Sequence, residues 1–167
     1  MVQDVLYYSK ERSLDLKTAD TERFAREVGE AVLPRIKTAG IDFCLKIEQA
    51  PETITMDQEL MHSALINIIE NAVDACEKMP DTEKKRQIIF SIKKSGKQVS
   101  FNIKDNGIGM DRETCQKIFS LFYSKKGRKG TGLGLFIASK ILQQHNGSIK
   151  IESIPGKGSS FILQIPQ

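Results

Sequence analysis

The sequence predicts an α+β fold, a two-layer sandwich in which helices pack on one face of a single mixed β-sheet. Segments of helical periodicity and segments of alternating periodicity follow one another without a strict strand–helix–strand repeat. Two pairs of alternating segments are joined by short turns, at residues 95–96 and 155–158, which is typical of antiparallel hairpins. The 167 residues, of which 40% are apolar and 28% charged, suit one domain with a core of its own.

The individual elements follow from local patterns read along the chain. Residues 3–10 look like the end of a helix that begins upstream. Apolar residues recur every three or four positions in the segments that we predict as helices, which are 18–37, 57–79, 111–119 and 131–145. They alternate with polar residues in the predicted strands, which are 14–16, 41–47, 53–56, 87–94, 98–104, 148–152 and 159–164. Asp57 is placed to cap the long helix, Pro80 to end it, and Thr131 to cap the last helix.

Composition and charge narrow the class of protein. The three cysteines, Cys44, Cys76 and Cys115, are widely spaced, so neither a disulfide framework nor a zinc site is indicated and a reducing compartment fits. The net charge of +4 is too small to predict nucleic-acid binding. No run approaches the roughly 18 apolar residues of a membrane span, and the first residues do not form a signal peptide. We therefore expect a cytoplasmic piece, whose parent chain could still be membrane-anchored.

The polar side of the long predicted helix carries an unusual set of side chains. Asn67, Glu70, Asn71 and Asp74 share this side, opposite an apolar stripe. Asparagine is a poor helix former, so two asparagines one turn apart reduce the helix propensity. The ordinary interpretation is a solvated face. The functional one is a set of amide oxygens for a hard cation such as Mg²⁺, which shares oxygen ligands with phosphates.

Residues 105–110, with the sequence DNGIGM, follow an alternating strand. Asn-Gly is a strong hairpin signal, yet the segment after it reads as a helix rather than a returning strand. Gly107 and Gly109 would let the backbone lie against a flat ring. Asp105, at the strand end, could accept a hydrogen bond from an exocyclic amine, which would separate adenine from guanine. The loop is therefore a candidate base-binding site, with a plain turn as the alternative.

Residues 125–135, KKGRKGTGLGL, join four cations to a glycine run that opens a helix. A helix N-terminus offers free N–H groups and positive potential to an anion, whereas a mobile surface loop is the ordinary interpretation. The glycine spacing matches neither a P-loop nor a Rossmann site. Residues 156–161 read as a hairpin turn by themselves. His62 and His145 are interpreted as structural rather than catalytic.

In this order and spacing the motifs resemble the catalytic domain of sensor histidine kinases, whose ATP-binding fold is shared with gyrase, the Hsp90 chaperones and MutL. Residues 67–74 resemble the N box, 105–110 the G1 box, 119–122 the F box, 130–135 the G2 box and 156–161 the G3 box. The resemblance implies a mostly antiparallel five-stranded sheet with three helices on one face. It also divides the chain into the end of a second dimerisation helix with its linker, residues 1–12, and an ATP-binding catalytic domain, residues 13–167.

The resemblance implies roles for individual residues. Asn71 resembles the Mg²⁺ ligand and Asn67 the residue one turn earlier that faces the phosphates; with Lys126, a phosphate-contacting lysine of the lid, they form the catalytic set. Asp105 resembles the adenine-binding aspartate, and Ser159 a hydroxyl residue near it. The implied nucleotide-binding residues are Asn71, Asp74, Asp105, Gly107, Gly109, Met110, Lys125, Lys126, Gly130, Thr131, Gly132, Leu133, Gly134, Leu135 and Ser159.

The sequence also departs from the family pattern. Leu121 stands where the F box usually has proline, and Asp74-Ala75 replaces Lys-Tyr, as in a nitrogen-sensor-like subfamily. No His-Glu-x-x-x-Pro segment is present, so the acceptor histidine is expected upstream of Met1 or on another protein. The implied cofactors are ATP and Mg²⁺. The implied partners are a histidine-bearing dimerisation domain of the same parent protein, which would be a homodimer, and the receiver domain of a response regulator, while this fragment would be a monomer.

Three other functions share the fold and stay open. An ATP hydrolase of the gyrase or MutL kind places a glutamate, the general base for water, where this chain has Asn67. Glu70 lies about 100° around the helix from Asn71 and is a doubtful replacement. The other two are a serine/threonine kinase of the anti-sigma type, which the dimerisation-helix remnant disfavours, and a regulatory nucleotide-binding module. We expect the isolated chain to bind ATP without phosphorylating itself.

Overall fold

The computed structural model describes residues 13–80, 85–120 and 133–167. Within these ranges the elements are β1 Lys17–Asp20, α1 Thr21–Thr38, β2 Asp42–Ile47, β3 Thr53–Met56, α2 Gln58–Glu77, β4 Gln87–Ser95, β5 Gln98–Asp105, α3 Arg112–Lys117, α4 Gly134–Gln144, β6 Ser148–Ile154 and β7 Gly158–Pro166. Residues 3–10, predicted to end a dimerisation helix, lie outside the described residues, so the division at residues 12 and 13 stays a prediction.

Five strands form the main sheet, in the order β2-β4-β5-β7-β6. β2 runs parallel to β4, and every other neighbouring pair in this sheet is antiparallel. The prediction of a mixed, mostly antiparallel five-stranded sheet is therefore confirmed. β1 and β3 form a separate two-stranded antiparallel sheet, in which Lys17 is opposite Met56.

The first strand and the helix after it begin later than the sequence predicts. Alternation places a strand at residues 14–16, and the helix is expected from Thr18. In the structure Thr18 belongs to β1, and α1 begins at Thr21. Asp20 caps this helix, its side chain accepting a hydrogen bond from the backbone N–H of Arg23 at 2.7 Å. The strand prediction is wrong because β1 is defined by pairing with β3, which is distant in sequence.

The core lies between one face of the main sheet and the three long helices α1, α2 and α4. The apolar stripe of α2, from Leu65 to Cys76, is buried there. Alternate residues of β4, β5 and β7 are buried against it: Ile88, Phe90, Ile92, Val99, Phe101, Ile103, Phe161, Leu163 and Ile165. The opposite face of the sheet carries mainly polar side chains, such as Ser100 and Asn102. This distribution agrees with the predicted two-layer arrangement.

A buried histidine joins the two helices that carry the candidate site. His145, only 6% exposed, follows α4, and its Nε2 accepts a hydrogen bond from the backbone N–H of Asp57 at 3.0 Å. Because Nε2 accepts, Nδ1 carries the proton and donates to the carbonyl of Ile141 at 2.8 Å. Asp57 caps α2 as predicted, its Oδ1 accepting from the backbone N–H of Leu60 at 3.1 Å. The start of α2 is thereby tied to the end of α4.

We expect His145→Ala to lower the free energy of unfolding by about 2 kcal/mol, because it leaves the buried N–H of Asp57 without a partner. Denaturant titration followed by circular dichroism measures this change. Gln143→Ala, at an exposed position of the same helix, is the matched control and should change the stability by less than about 0.5 kcal/mol. Equal stability of His145→Ala and the wild type would contradict a stabilising role for the hydrogen bond between Asp57 and His145.

Candidate functional site

Asp105 is a buried carboxylate at the end of β5, and its side chain is only 3% exposed. Its Oδ1 accepts hydrogen bonds from the backbone N–H groups of Gly107, at 2.8 Å, and Ser159, at 3.3 Å. Its Oδ2 makes no hydrogen bond with a described residue. Burial raises the pKa of Asp105 to about 6, although the two N–H groups act in the opposite direction. At neutral pH the group is therefore an ionised acceptor, and the described residues leave its second oxygen available to a ligand.

The two glycines of the DNGIGM loop are required by close backbone packing. A Cβ on Gly107 would lie 2.6 Å from the carbonyl carbon of Ala75, and the amide of Ile108 donates to the Ala75 carbonyl at 3.2 Å. Gly109 has a φ of +65°, and a Cβ there would lie 2.1 Å from the carbonyl oxygen of Ile154. The loop is thus held between α2 and the end of β6. The alternative of a plain hairpin turn is wrong, because the chain continues into α3.

Three polar side chains form a row across the end of the sheet. Asp105 on β5 is opposite Ser159 on β7, and Ser159 is opposite Ser153 on β6. Ser153 Oγ lies 2.9 Å from Ser159 Oγ and accepts a hydrogen bond from the backbone N–H of Met110 at 2.8 Å. The structure thus brings Met110 and Ser159 close to Asp105. Ser153 is missing from the predicted set, and only the register of the β6–β7 hairpin could have indicated it.

Asn67 and Asn71 lie one turn apart on α2, and both are half-buried. The side-chain Nδ2 of Asn71 donates to the backbone carbonyl of Asn67 at 2.7 Å, so this part of the amide is held by the helix. A Cβ on Gly134, the first residue of α4, would lie 3.1 Å from Oδ1 of Asn67. The start of α4 therefore lies against the two asparagines. The first turn of a helix has backbone N–H groups that the helix itself does not use.

One side of α2 connects these features. Asn67, Asn71 and Ala75 follow at intervals of four residues, so they share this side, which we call the asparagine side. α4 meets it at Asn67, and the DNGIGM loop meets it at Ala75. The two contacts are about 12 Å apart along the helix axis, at about 1.5 Å per residue. The loop that carries Asp105 and the first residue of α4 therefore both lie against the side of α2 that carries Asn71.

Asp74 lies on the flank of α2 that faces α1. Its Oδ1 accepts a hydrogen bond from Nη2 of Arg35 at 3.3 Å, and Nη1 of the same guanidinium donates to Oε1 of Glu77 at 2.7 Å. Glu70 is at the edge of this cluster, 3.9 Å from Nε of Arg35. The assignment of Asp74 to the nucleotide stays a prediction, and the structure gives this carboxylate a cationic partner on another helix.

The start of the last helix differs from the sequence prediction. α4 begins at Gly134, and Leu133 occupies the cap position without a side-chain capping bond. The prediction that Thr131 caps this helix is therefore wrong. Leu133 is buried and Leu135 is half-buried against the core. The other residues predicted for this segment lie outside the described residues, namely Lys125, Lys126, Gly130, Thr131 and Gly132.

Cys76 lies beneath the same loop but is not a nucleophile. Burial, with a smaller contribution from the charge of Asp105, raises the pKa of its thiol to about 11, so it is neutral. Its Sγ lies 3.9 Å from the carbonyl of Gln87 and 4.0 Å from Oδ1 of Asn106. Asn106 fastens the loop to β4, since its Oδ1 accepts from the backbone N–H of Gln87 at 2.8 Å. Sequence reasoning missed this role of Asn106.

The three described ranges contain neither a membrane-spanning helix nor a cluster of metal-ligating side chains. No helix there is long and apolar enough to cross a membrane. No group of three or more His, Cys, Asp or Glu side chains is placed there to hold a metal ion. The amide oxygens of the asparagine side are oxygen donors, the type of ligand that Mg²⁺ prefers and that it shares with phosphates.

Known proteins of similar sequence are histidine kinases. A family model described as "Histidine kinase-, DNA gyrase B-, and HSP90-like ATPase" matches residues 56–167. The signal transduction histidine-protein kinase AtoS of Escherichia coli (strain K12) is 31% identical over 170 residues, which is 99% of this chain and 26% of AtoS. The chain thus spans about a quarter of the length of that relative.

Two solved structures share the fold, those of ShkA and of the histidine kinase ThkA. Full-length ShkA in complex with AMPPNP has a TM-score of 0.86 at 26% identity, over 99% of this chain and 35% of ShkA. Histidine kinase ThkA in complex with response regulator protein TrrA has a TM-score of 0.80 at 28% identity, over 99% of this chain and 46% of ThkA. The chain therefore belongs to the family of histidine kinase-, DNA gyrase B- and HSP90-like ATPases, and it corresponds to the catalytic domain of sensor histidine kinases.

Proposed function

We propose that this chain is the ATP-binding catalytic domain of a two-component sensor histidine kinase, and that it transfers the γ-phosphate of ATP to a histidine on a dimerisation domain of the same parent protein. The observation that carries the proposal is the asparagine side of α2, with the Asp105 loop at one end and the start of α4 at the other. Its length of about 12 Å suits a base at the first end and phosphates at the second. The complex of ShkA with AMPPNP supports ATP as the ligand.

The adenine base would bind at Asp105. Oδ1 is fixed by the N–H groups of Gly107 and Ser159, which leaves Oδ2 to accept a hydrogen bond from the 6-amino group. An ionised carboxylate can only accept hydrogen bonds, so it opposes the 6-carbonyl of guanine. This preference explains why a carboxylate, rather than an amide, suits a site that selects ATP.

The phosphates would lie between Asn71 and the start of α4. The amide oxygen of Asn71 is a hard donor, and the site fits an ion that takes its other ligands from phosphates and water. Bound Mg²⁺ would supply charge neutralisation at the β- and γ-phosphates. The N-terminal N–H groups of α4 at Gly134 offer positive potential to the same region. Lys126, which lies outside the described residues, stays a predicted phosphate contact.

Phosphoryl transfer to histidine depends on positioning and electrostatics rather than on a protein base. A neutral imidazole is already a nucleophile, so the acceptor needs no residue of this chain to remove a proton. Position 67 is an amide, which cannot accept a proton from water. Glu70 lies beside Arg35, on the α1 flank of α2 rather than the asparagine side. These positions disfavour an ATP hydrolase and favour an acceptor histidine supplied by another domain.

The partners would be the histidine-bearing dimerisation domain, within a homodimeric parent, and the receiver domain of a response regulator. The complex of ThkA with response regulator protein TrrA supports the second partner. The three cysteines are free thiols, which suits a cytoplasmic location for this part of a parent that membrane segments could anchor. Nucleic acid is not among the proposed partners.

Radiolabelled ATP, added to this chain and the separately produced dimerisation domain of the parent protein, should label the dimerisation domain only. The product should be labile in acid and stable in base, as phosphohistidine is. The chain alone is the control and should stay unlabelled, because it has no His-Glu-x-x-x-Pro segment. A stable label on the chain itself would favour the serine/threonine kinase, and steady phosphate release without transfer would favour the hydrolase.

The affinity for ATP should fall as the pH is lowered through about 6, because protonation of Asp105 replaces an acceptor with a donor. At pH 5, one unit below this pKa, we expect about tenfold weaker binding than at pH 8. Calorimetric titration with Mg-ATP measures the difference. Asp105→Asn is the matched control, since it cannot ionise and reports the titration of ATP itself. Parallel pH profiles for the two proteins would exclude Asp105 as the base-binding group.

Asn71→Ala should remove most of the effect of Mg²⁺ on ATP binding. We expect the variant to lose on the order of 2 kcal/mol, about thirtyfold in Kd, with Mg²⁺ present and little with EDTA. A fluorescent ATP analogue titrated under both conditions gives the ratio. Asn102→Ala, an asparagine on the opposite face of the sheet, is the control and should keep the wild-type ratio. Persistence of the Mg²⁺ effect in Asn71→Ala would mean that the cation is held elsewhere.

A further inference from the structure

Ser153 makes three polar contacts at the base end of the proposed nucleotide site. Its Oγ lies 2.8 Å from the backbone nitrogen of Met110, 3.1 Å from the carbonyl oxygen of Gly158 and 2.9 Å from Oγ of Ser159. A serine hydroxyl has one proton to donate and two lone pairs that accept. Three contacts therefore use its full capacity, and the direction of each bond can be assigned.

The assignment follows from what each partner can do. The N–H of Met110 can only donate, so Ser153 accepts there. The carbonyl of Gly158 can only accept, so the single proton of Ser153 goes to it. The remaining contact is a hydrogen bond only if Ser159 donates its hydroxyl proton to the second lone pair of Ser153. The opposite assignment would leave the Gly158 contact without a hydrogen.

The proton of Ser159 is thereby directed away from Asp105. Ser159 donates its backbone N–H to Oδ1 of Asp105 at 3.3 Å, whereas its hydroxyl does not donate to Asp105. The hydroxyl oxygen of Ser159 keeps its lone pairs for the ligand. The side chains of Ser159 and Asp105 therefore present only hydrogen-bond acceptors, the Ser159 hydroxyl oxygen and Oδ2 of Asp105.

We propose that Ser153 is a positioning residue for base selection: it holds the hydroxyl proton of Ser159, so that the site presents only hydrogen-bond acceptors to the 6-position of a purine. This inference rests on the proposed function, since it concerns the same site. A 6-amino group donates two hydrogen bonds and fits two acceptors. A 6-carbonyl group has lone pairs of its own, which would face those of Asp105 and Ser159.

Removal of the Ser153 hydroxyl should change the selectivity of the site between adenine and guanine nucleotides. In Ser153→Ala the Ser159 hydroxyl loses the oxygen to which it donates, so it can turn and donate to a 6-carbonyl. The cost of guanine binding then falls, while the carboxylate of Asp105 is unchanged. We expect the ratio of ATP affinity to GTP affinity to fall about tenfold, the value of one hydrogen bond of ordinary strength.

The test is a double-mutant cycle on that ratio, with Ser153→Ala, Ser159→Ala and the double variant. Kd values for Mg-ATP and Mg-GTP come from calorimetry at pH 8, where Asp105 is ionised. The ratio should fall in Ser153→Ala, and adding Ser153→Ala to Ser159→Ala should change it no further. Ser153→Thr, which keeps the hydroxyl and suits a strand, should restore most of the selectivity.

The other outcomes of the cycle separate a positioning role of Ser153 from a purely structural one. An unchanged ratio in Ser153→Ala, or an equal fall in the Ser159→Ala background, would overturn the proposal, because a residue that only supports the fold does not act through the Ser159 hydroxyl. If the wild type binds ATP and Asp105→Asn binds it measurably more weakly, the proposed function survives such a result. Failure of the wild type to bind either nucleotide would overturn both.

Discussion

The contact between the DNGIGM loop and α2 is the constraint on which the site depends. A Cβ on Gly107 would come within 2.6 Å of the Ala75 backbone, so the loop lies directly on the helix. Gly109 is confined in the same way by Ile154, at the end of β6. A side chain at either position would lift the loop and move Asp105 relative to α2. The distance between the proposed base end and the proposed phosphate end is therefore set by backbone packing.

Burial of Asp105 gives the site an ionised hydrogen-bond acceptor and lowers the stability of the folded domain at neutral pH. Its pKa is raised from 3.8 to about 6, so folding favours the protonated carboxyl. The stabilising contribution of that proton is complete below the ordinary pKa, near pH 4, and is lost as the pH rises through about 6. At neutral pH this buried carboxylate is ionised. Its desolvation destabilises the folded domain by roughly 2–3 kcal/mol, which corresponds to the rise of about two units in its pKa. An amino group bound at Asp105, as proposed, would offset part of this desolvation cost and so link nucleotide binding to the stability of the domain.

Much of the fold could be predicted because its signals are local, such as the cap at Asp57 and the two hairpin turns. The sequence does not reveal features that depend on a partner distant along the chain. Residues 17–20 form a strand because β3 pairs with them, and Asp74 faces Arg35 because α1 lies on that flank of α2. Helical periodicity alone grouped Asp74 with Asn71. The role of Ser153 cannot be predicted from the sequence for the same reason, since it comes from the position of Ser153 opposite Ser159 across a hairpin.

The position of α4 bears on the type of reaction that the site supports. Its C-terminal end is tied to the start of α2 through His145 and Asp57, and its first residue, Gly134, lies against Asn67. Because both ends meet α2, the helix that would face the phosphates keeps a fixed register along the asparagine side. The side chains that this register would bring to the phosphates from the asparagine side of α2 are amides, which can bind a cation but accept no proton. A water molecule there would meet no base on the asparagine side of α2, whereas the imidazole of the proposed acceptor histidine needs none.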